Sequence, residues 1–276
     1  MSIVRYFINL FVLLTLYAFN CLNAYAEQNK NNVNSFSFGI VPQQSAKQIY
    51  SLWQPLVNHI KEQTSYPVQI KGSPNIPAYE NSLFSGRFDI AYVNPRMLLE
   101  AHKYVGYIPI AREGGNQLKG IIVVAKDSPY QSIADLNGKK FTSPKGAFAA
   151  SALPRLNLHS LGILFHNSYV ETHAQGYSLT VNGVVDAAGG VHRTFNSLLP
   201  KVKNKLRILW ESNGVTPHAL IIHPRVSPIV RNRIIDATLG FKDTAAGKAF
   251  FNSLKINSFV AAKLTDWNDI KKLMGY

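Results

Sequence analysis

Cysteine is almost missing from this chain: Cys21 is the only one among 276 residues. A disulfide framework is therefore excluded, as is a cysteine-ligated metal. Acidic residues are scarce too, 15 Asp and Glu against 29 Lys and Arg, for a formal net charge of +14. The excess of positive charge points to an anionic partner or surface. It is scattered, with no Lys/Arg-rich run and no basic face interleaved with aromatics, so a nucleic-acid partner is not expected. Enzyme signatures are lacking: there is no G-x-S-x-G elbow, H-E-x-x-H helix, P-loop or dinucleotide fingerprint. The eight histidines do not fall at metal-ligand spacing; His218 and His223 lie five apart in a strand-like run and would face opposite ways. No cofactor, metal or catalytic residue is expected.

What is present begins with an export signal. Arg5 precedes the apolar run Tyr6–Phe19, and Ala24-Tyr25-Ala26 is an A-x-A cleavage site. The run is too short to span a bilayer. Cleavage after Ala26 removes 26 of 276 residues and one charge, leaving 250 residues at a net charge of +13. Cys21 leaves with the leader; Ala18-Phe19-Asn20 lacks the small residues expected before a lipidated cysteine. The expected product is periplasmic, thiol-free and monomeric. At 46% hydrophobic and 16% charged, it has globular composition.

After a polar lead-in (27–35), strand and helix patterns alternate. Phe36–Val41 reads as a strand stopped by Pro42. In 47–63, Ile49, Leu52, Trp53, Leu56, Val57 and Ile60 form an amphipathic helical stripe, with Pro55 inside it as a candidate kink. Strands are expected at 66–71, 88–93, 107–111, 120–125, 140–143, 169–172, 184–188, 207–210 and 219–222. Helices are expected at 77–87, from Asn94-Pro95 to about 103, at 173–182, and through most of the chain from Ser227 onward. Ser128, Pro129 and Gln131 read as a capped helix start. Such alternation implies an α/β fold with mostly parallel sheets. Gln43 and Gln44 follow the first strand, where α/β folds place ligand contacts.

The most informative stretch is Lys140–Gly162. A strand runs into Ser143-Pro144-Lys145-Gly146 and then a helix of small residues starting near Ala147. A helix start carries unpaired N–H groups and the positive dipole end, which suits an anion. Ala147, Ala149 and Ala150 would let a ligand approach the backbone, and Lys145 and Ser151 would add donors. Arg193, at a Gly-Gly turn leading to a helix, offers a fork-shaped donor suited to carboxylate or phosphate.

Ser132–Phe141 and the stretch after it resemble the second-lobe entry of type II periplasmic binding proteins, more narrowly the phosphate/phosphite/phosphonate branch of ABC-transporter solute receptors. Trp53-Gln54-Pro55-Leu56, Phe84–Ala91 and Val184–Ala188 match the same family in order. The resemblance implies two α/β lobes joined by two crossovers, with lobe 1 at 36–124 and 214–276 and lobe 2 at 125–213. It implies capture of a small anion in the cleft by hinge closure, for delivery to a permease. A sensory receptor of the same fold, signalling to a membrane partner, remains the alternative. By the same resemblance Tyr79 would be a cleft tyrosine, His173 a ligand-facing histidine at a helix start, and Asn94 a contributor at a helix head.

Departures from the pattern bear on the ligand. The family's Ser-Thr-Ser cluster is here Gly146-Ala147-Phe148-Ala149-Ala150, leaving Ser151. A second cleft tyrosine corresponds to Leu118. The acidic positions that hold a ligand amine correspond to His192-Arg193 and His218. These changes argue against an aminoalkyl phosphonate and for another small anion.

Overall fold

The computed structural model describes residues 35–275; the leader, its cleavage site and nearly all of the polar lead-in lie outside the described residues. Two sheets organise the rest. The first is built from β1 (Phe36–Ile40), β2 (Val68–Lys71), β3 (Ile90–Val93) and β4 (Ile108–Gly114). The chain then builds the second from β5 (Ile121–Ala125), β6 (Lys140–Pro144), β7 (His166–Val170), β8 (Ala187–Gly190) and β9 (Leu206–Glu211). It returns to complete the first with β10 (Ala219–Ile222) and β11 (Ser258–Ala261). The strand orders are β11-β4-β10-β3-β1-β2 and β7-β6-β8-β5-β9.

The passages between sheets fall at 115–120 and 212–218, and they are tied to each other. Leu118 and Val215 exchange both backbone hydrogen bonds, at 2.8 and 3.0 Å. A division after residue 124, as the resemblance implies, would cut β5 away from its partners β8 and β9; the passage between the sheets lies before β5. The sheets are also mixed rather than mostly parallel. β1 pairs in parallel with β2 and β3, and β6 with β7 and β8. β10 re-enters the first sheet from the second and runs antiparallel to both β3 and β4. In the second sheet β5 is antiparallel to β8 and β9.

The first sheet carries the larger core. Helix α1 (Ala46–Thr64) is opened by Ser45 and Gln48 in a reciprocal cap. It buries Trp53, Leu56, Val57 and Ile60. Trp53 stacks on Phe259 of β11, meets Phe250 edge-on and lies tilted against Tyr92. The helix runs unbroken through Pro55, held on both sides of the proline by this buried face. Helices α2 (Ile76–Phe84) and α3 (Pro95–Val105) start at Asn75 and Asn94, whose side chains accept from Ala78 and Met97 N–H.

Two local expectations shift. The turn after β5 is a short 3₁₀ segment at Ile133–Leu136, because the Asp135 carboxylate accepts from Gln131 and Ser132 N–H, both at 2.8 Å, rather than Ser128 starting a helix. The helix start near Ala147 is a π-type turn, Phe148–Ala152, leading into α4 (Leu153–Ser160). Pro154 has no N–H to give Ala150 O, so the ladder slips to the wider spacing there. Helix α5 (His173–Val181) follows β7, and the short α6 (His192–Asn196) follows β8.

Candidate functional site

Loops at the ends of the strands converge from the two sheets. From the first come Val41 and Gln43 after β1, Asn94 after β3, and His218 just before β10. From the second come Ala147–Ala150 after β6, His173 after β7, and Val191 after β8. Together with Ile76 these residues line one tight pocket of ≈ 10 Å³. A much larger cleft of ≈ 870 Å³ lies alongside and has Gln43, Val191 and His218 as shared walls.

Backbone packing fixes the helix start in this position. Gly146 is left-handed (φ +79), and a Cβ there would fall 2.5 Å from Ile76 Cγ2. The Asn94 side-chain amide reaches Gly146 O at 3.5 Å. On the sheet side a Cβ on Gly189 would lie 1.8 Å from Ala150 O, so the small-residue turn presses its carbonyls onto β8. Phe148, Ala149 and Ala150 are buried and continuous with the core of the first sheet. The first N–H groups of the helix have no intrahelical acceptor, and residues Ala147–Ala150 line a pocket that also contains unpartnered polar side-chain atoms. His173 and His218 are 4% and 3% exposed, and neither Nδ1 has a hydrogen-bond partner. Burial lowers both imidazoles to a pKa of about 4, so both are neutral near pH 7. The Gln43 side-chain amide lies 3.0 Å from His218 Nε2.

Behind this wall lies a buried charged cluster. Glu113, at the end of β4, accepts hydrogen bonds from Tyr92 Oη and from Arg193 Nη2, the latter at 2.8 Å. Its other carboxylate oxygen is 3.9 Å from His218 Nδ1. Burial alone would raise the Glu113 pKa; Arg193, His218 and Tyr92 more than offset it and hold the carboxyl below its usual range. Arg193 comes from α6 and Glu113 from β4, so this ion pair ties the two sheets together. At the rim of the large cleft Glu211 pairs with Lys119 at 2.6 Å and with His192.

Gln43, Asn94, Ala149, Ala150, His173 and His218 are thus brought to one pocket. Arg193 reaches the larger cleft, but its guanidinium is engaged by Glu113. Ser151 is buried with its Oγ unpartnered, and it lies outside the pocket lining. Lys145 is exposed on the turn and acts at a distance on Glu80. Tyr79 is fully buried and is no part of the wall: its hydroxyl donates to Tyr92 O at 3.0 Å and its ring stacks on Phe88. It braces the strand ends that present Val41 and Asn94. Sequence reasoning missed Glu113. The available signal was a lone acid before Gly114-Gly115 at a strand end, in a chain with few acids.

The family model described as "ABC transporter, phosphonate, periplasmic substrate-binding protein" matches residues 38–267. The chain belongs to this family. Membership makes it the substrate-binding component of a phosphonate-type ABC transporter, a periplasmic capture protein. A phosphonates-binding periplasmic protein of Escherichia coli (strain K12) is 20% identical over 247 residues, covering 84% of this chain and 72% of the relative. Among solved structures, a binding protein component of an ABC phosphonate transporter from Pseudomonas aeruginosa superposes with a TM-score of 0.78 at 19% identity, covering 87% of this chain and 85% of that one. PhnD1 from Prochlorococcus marinus (MIT 9301), in complex with methylphosphonate, gives 0.80 at 15% identity, covering 88% and 97%. These likenesses show the type II periplasmic-binding fold. Among the described residues no helix is long and apolar enough to cross a membrane.

Proposed function

We propose that the protein captures a small oxyanion at the start of the Phe148 helix, between two lobes that close on it, and hands it to its permease as a monomer exported by a leader cleaved after Ala26. The lobes correspond to the two sheets with their helices, hinged at the paired crossovers around Leu118 and Val215. The observation that carries this reading is the convergence of the helix start Ala147–Ala150 with the buried His173, whose Nδ1 has no hydrogen-bond partner. A neutral imidazole can donate one hydrogen bond, and Asn94 and Gln43 supply amides. The pocket holds no unpaired cation, and its alanines have replaced hydroxyl donors. It therefore offers an oxyanion neutral donors only. At ≈ 10 Å³, about the room of one water, it takes a phosphonate, a phosphate ester or another small oxyanion by widening between the lobes.

The test is a thermal-shift series on the chain from Glu27 with methylphosphonate, phosphate, phosphite, methanesulfonate and acetate. A ligand at ~100 times its Kd stabilises the native state by roughly 2.7 kcal/mol. Asn94→Asp keeps the helix cap, since aspartate caps as well as asparagine, but sets a carboxylate at the pocket. Its shift with every bound anion should fall by more than half. A response to no anion, or an undiminished response in the Asn94→Asp protein, would remove the helix-start pocket as the binding site.

A further inference from the structure

The ≈ 870 Å³ cleft is in the size range of sites for drug-sized molecules, roughly 300–1,000 Å³. A simple oxyanion held at the helix start would leave most of it to water. Its chemistry is uneven. Gln44, Asn116, Gln117 and Asn196 line it with primary amides, while Leu118 and Leu254 add apolar wall. Primary amides both donate and accept, so their complement is a group that also does both. The two carboxylates that reach the cleft are already committed. Glu113 is held by Tyr92 and Arg193, and Glu211 by Lys119 and His192. An ammonium group on the ligand would find no free anion there. Lys255 also lines the cleft, and among the described residues it has no ion-pair partner, so the rim favours an anion.

We propose that the physiological ligand is a monoester of a phosphorus oxyanion whose hydroxyl-rich substituent lies in this larger cleft. This rests on the helix-start pocket as the oxyanion site, and adds a second site for the remainder of the molecule. The oxyanion meets the amides at Phe148–Ala150 and His173. Past the shared wall of Gln43 and His218, the substituent presents hydroxyls to the amide side chains and its C–H face to Leu118 and Leu254. A polyol or sugar ring has both surfaces.

The experiment is isothermal titration of the chain from Glu27 with methylphosphonate, glycerol 3-phosphate, glucose 6-phosphate, 2-aminoethylphosphonate and, as an uncharged control, glucose. Two net hydrogen bonds to neutral groups are worth about tenfold or more in affinity, so the two hydroxylated esters should exceed methylphosphonate by at least that factor. The Asn116→Ala/Gln117→Ala protein, and separately Gln44→Ala, should narrow the gap. Methylphosphonate binding as tightly as the esters overturns the inference while leaving the helix-start pocket standing. So does tightest binding of the aminoethyl compound, or a gap unchanged in both variants. Binding of glucose as tight as glucose 6-phosphate, or of no compound at all, overturns the pocket reading as well.

Discussion

At the level of single residues, the site is a set of buried polar groups whose protonation is fixed by burial. His173 has no charged neighbour shifting it; burial alone brings its pKa to about 4, against about 6.5 for an exposed imidazole. A folded-state pKa below the unfolded one means that the unfolded chain binds more protons between those values. Stability is then fully present above about pH 6.5 and declines as the pH falls toward 4. His218 adds to the same window, and the lowered Glu113 carboxyl extends the loss below it. The melting temperature should therefore fall steadily from pH 7 to 4, and more gently in a His173→Gln protein, whose amide has no proton to gain. An equal slope in both proteins would mean that His173 is not buried neutral. His173 was legible in the sequence as a motif residue at a helix start. Its missing partner was not, because that depends on what the other sheet brings against it.

At the level of elements, the small-residue turn and β8 fit because neither has side-chain bulk where they meet. A methyl carbon added at Gly189 would fall 1.8 Å from Ala150 O, far inside van der Waals contact. Overpacking of this kind costs roughly 1–3 kcal/mol, and more where backbone must move. Gly189→Ala should lower the urea midpoint and weaken anion binding together, since the atom displaced belongs to the turn that presents the amides. Gly240→Ala, at the end of the helix at Pro228–Gly240 with nothing within 4 Å of the added carbon, should leave binding alone. It should raise stability by up to about 1 kcal/mol. If Gly189→Ala lost stability with unchanged affinity, the turn would not be the ligand platform. Period and capping made most of these elements readable: α1, α3, α5 and the strands Ile90–Val93 and Ala219–Ile222 lie close to their expected places. β11 was missed because Ser258–Ala261 is four residues in a helix-rich stretch, and only pairing to the edge of β4 makes it a strand. The π-type turn was invisible for a similar reason, being a product of Pro154 and the contact with Gly189.

At the level of the whole molecule, the Arg193–Glu113 pair decides how the two halves meet. Among the described residues Glu113 is the most deeply buried acid in an ion pair, and its partner Arg193 comes from α6, beside the other sheet. Removing one partner of a buried pair costs about 3–5 kcal/mol, because the other charge is left buried and unsatisfied. In a hinged protein that cost is avoided by opening, which returns Arg193 to water. Glu113→Gln should accordingly shift the protein toward an open form rather than unfold it. The chain from Glu27 contains no cysteine, so a pair introduced at Tyr50 and Leu199, 55% and 63% exposed, can be labelled for single-molecule energy transfer. Tyr50 rides on α1 against the first sheet, and Leu199 lies between β8 and β9 of the second. The Glu113→Gln protein should show a longer mean separation than its parent, and saturating methylphosphonate should restore the shorter one. A Glu113→Gln/Arg193→Met protein, with no charge to expose, should sit between the two. Identical distributions in all three proteins would mean that the halves are held by the apolar contact of Phe148 and its neighbours alone, and that the ion pair has no part in closure.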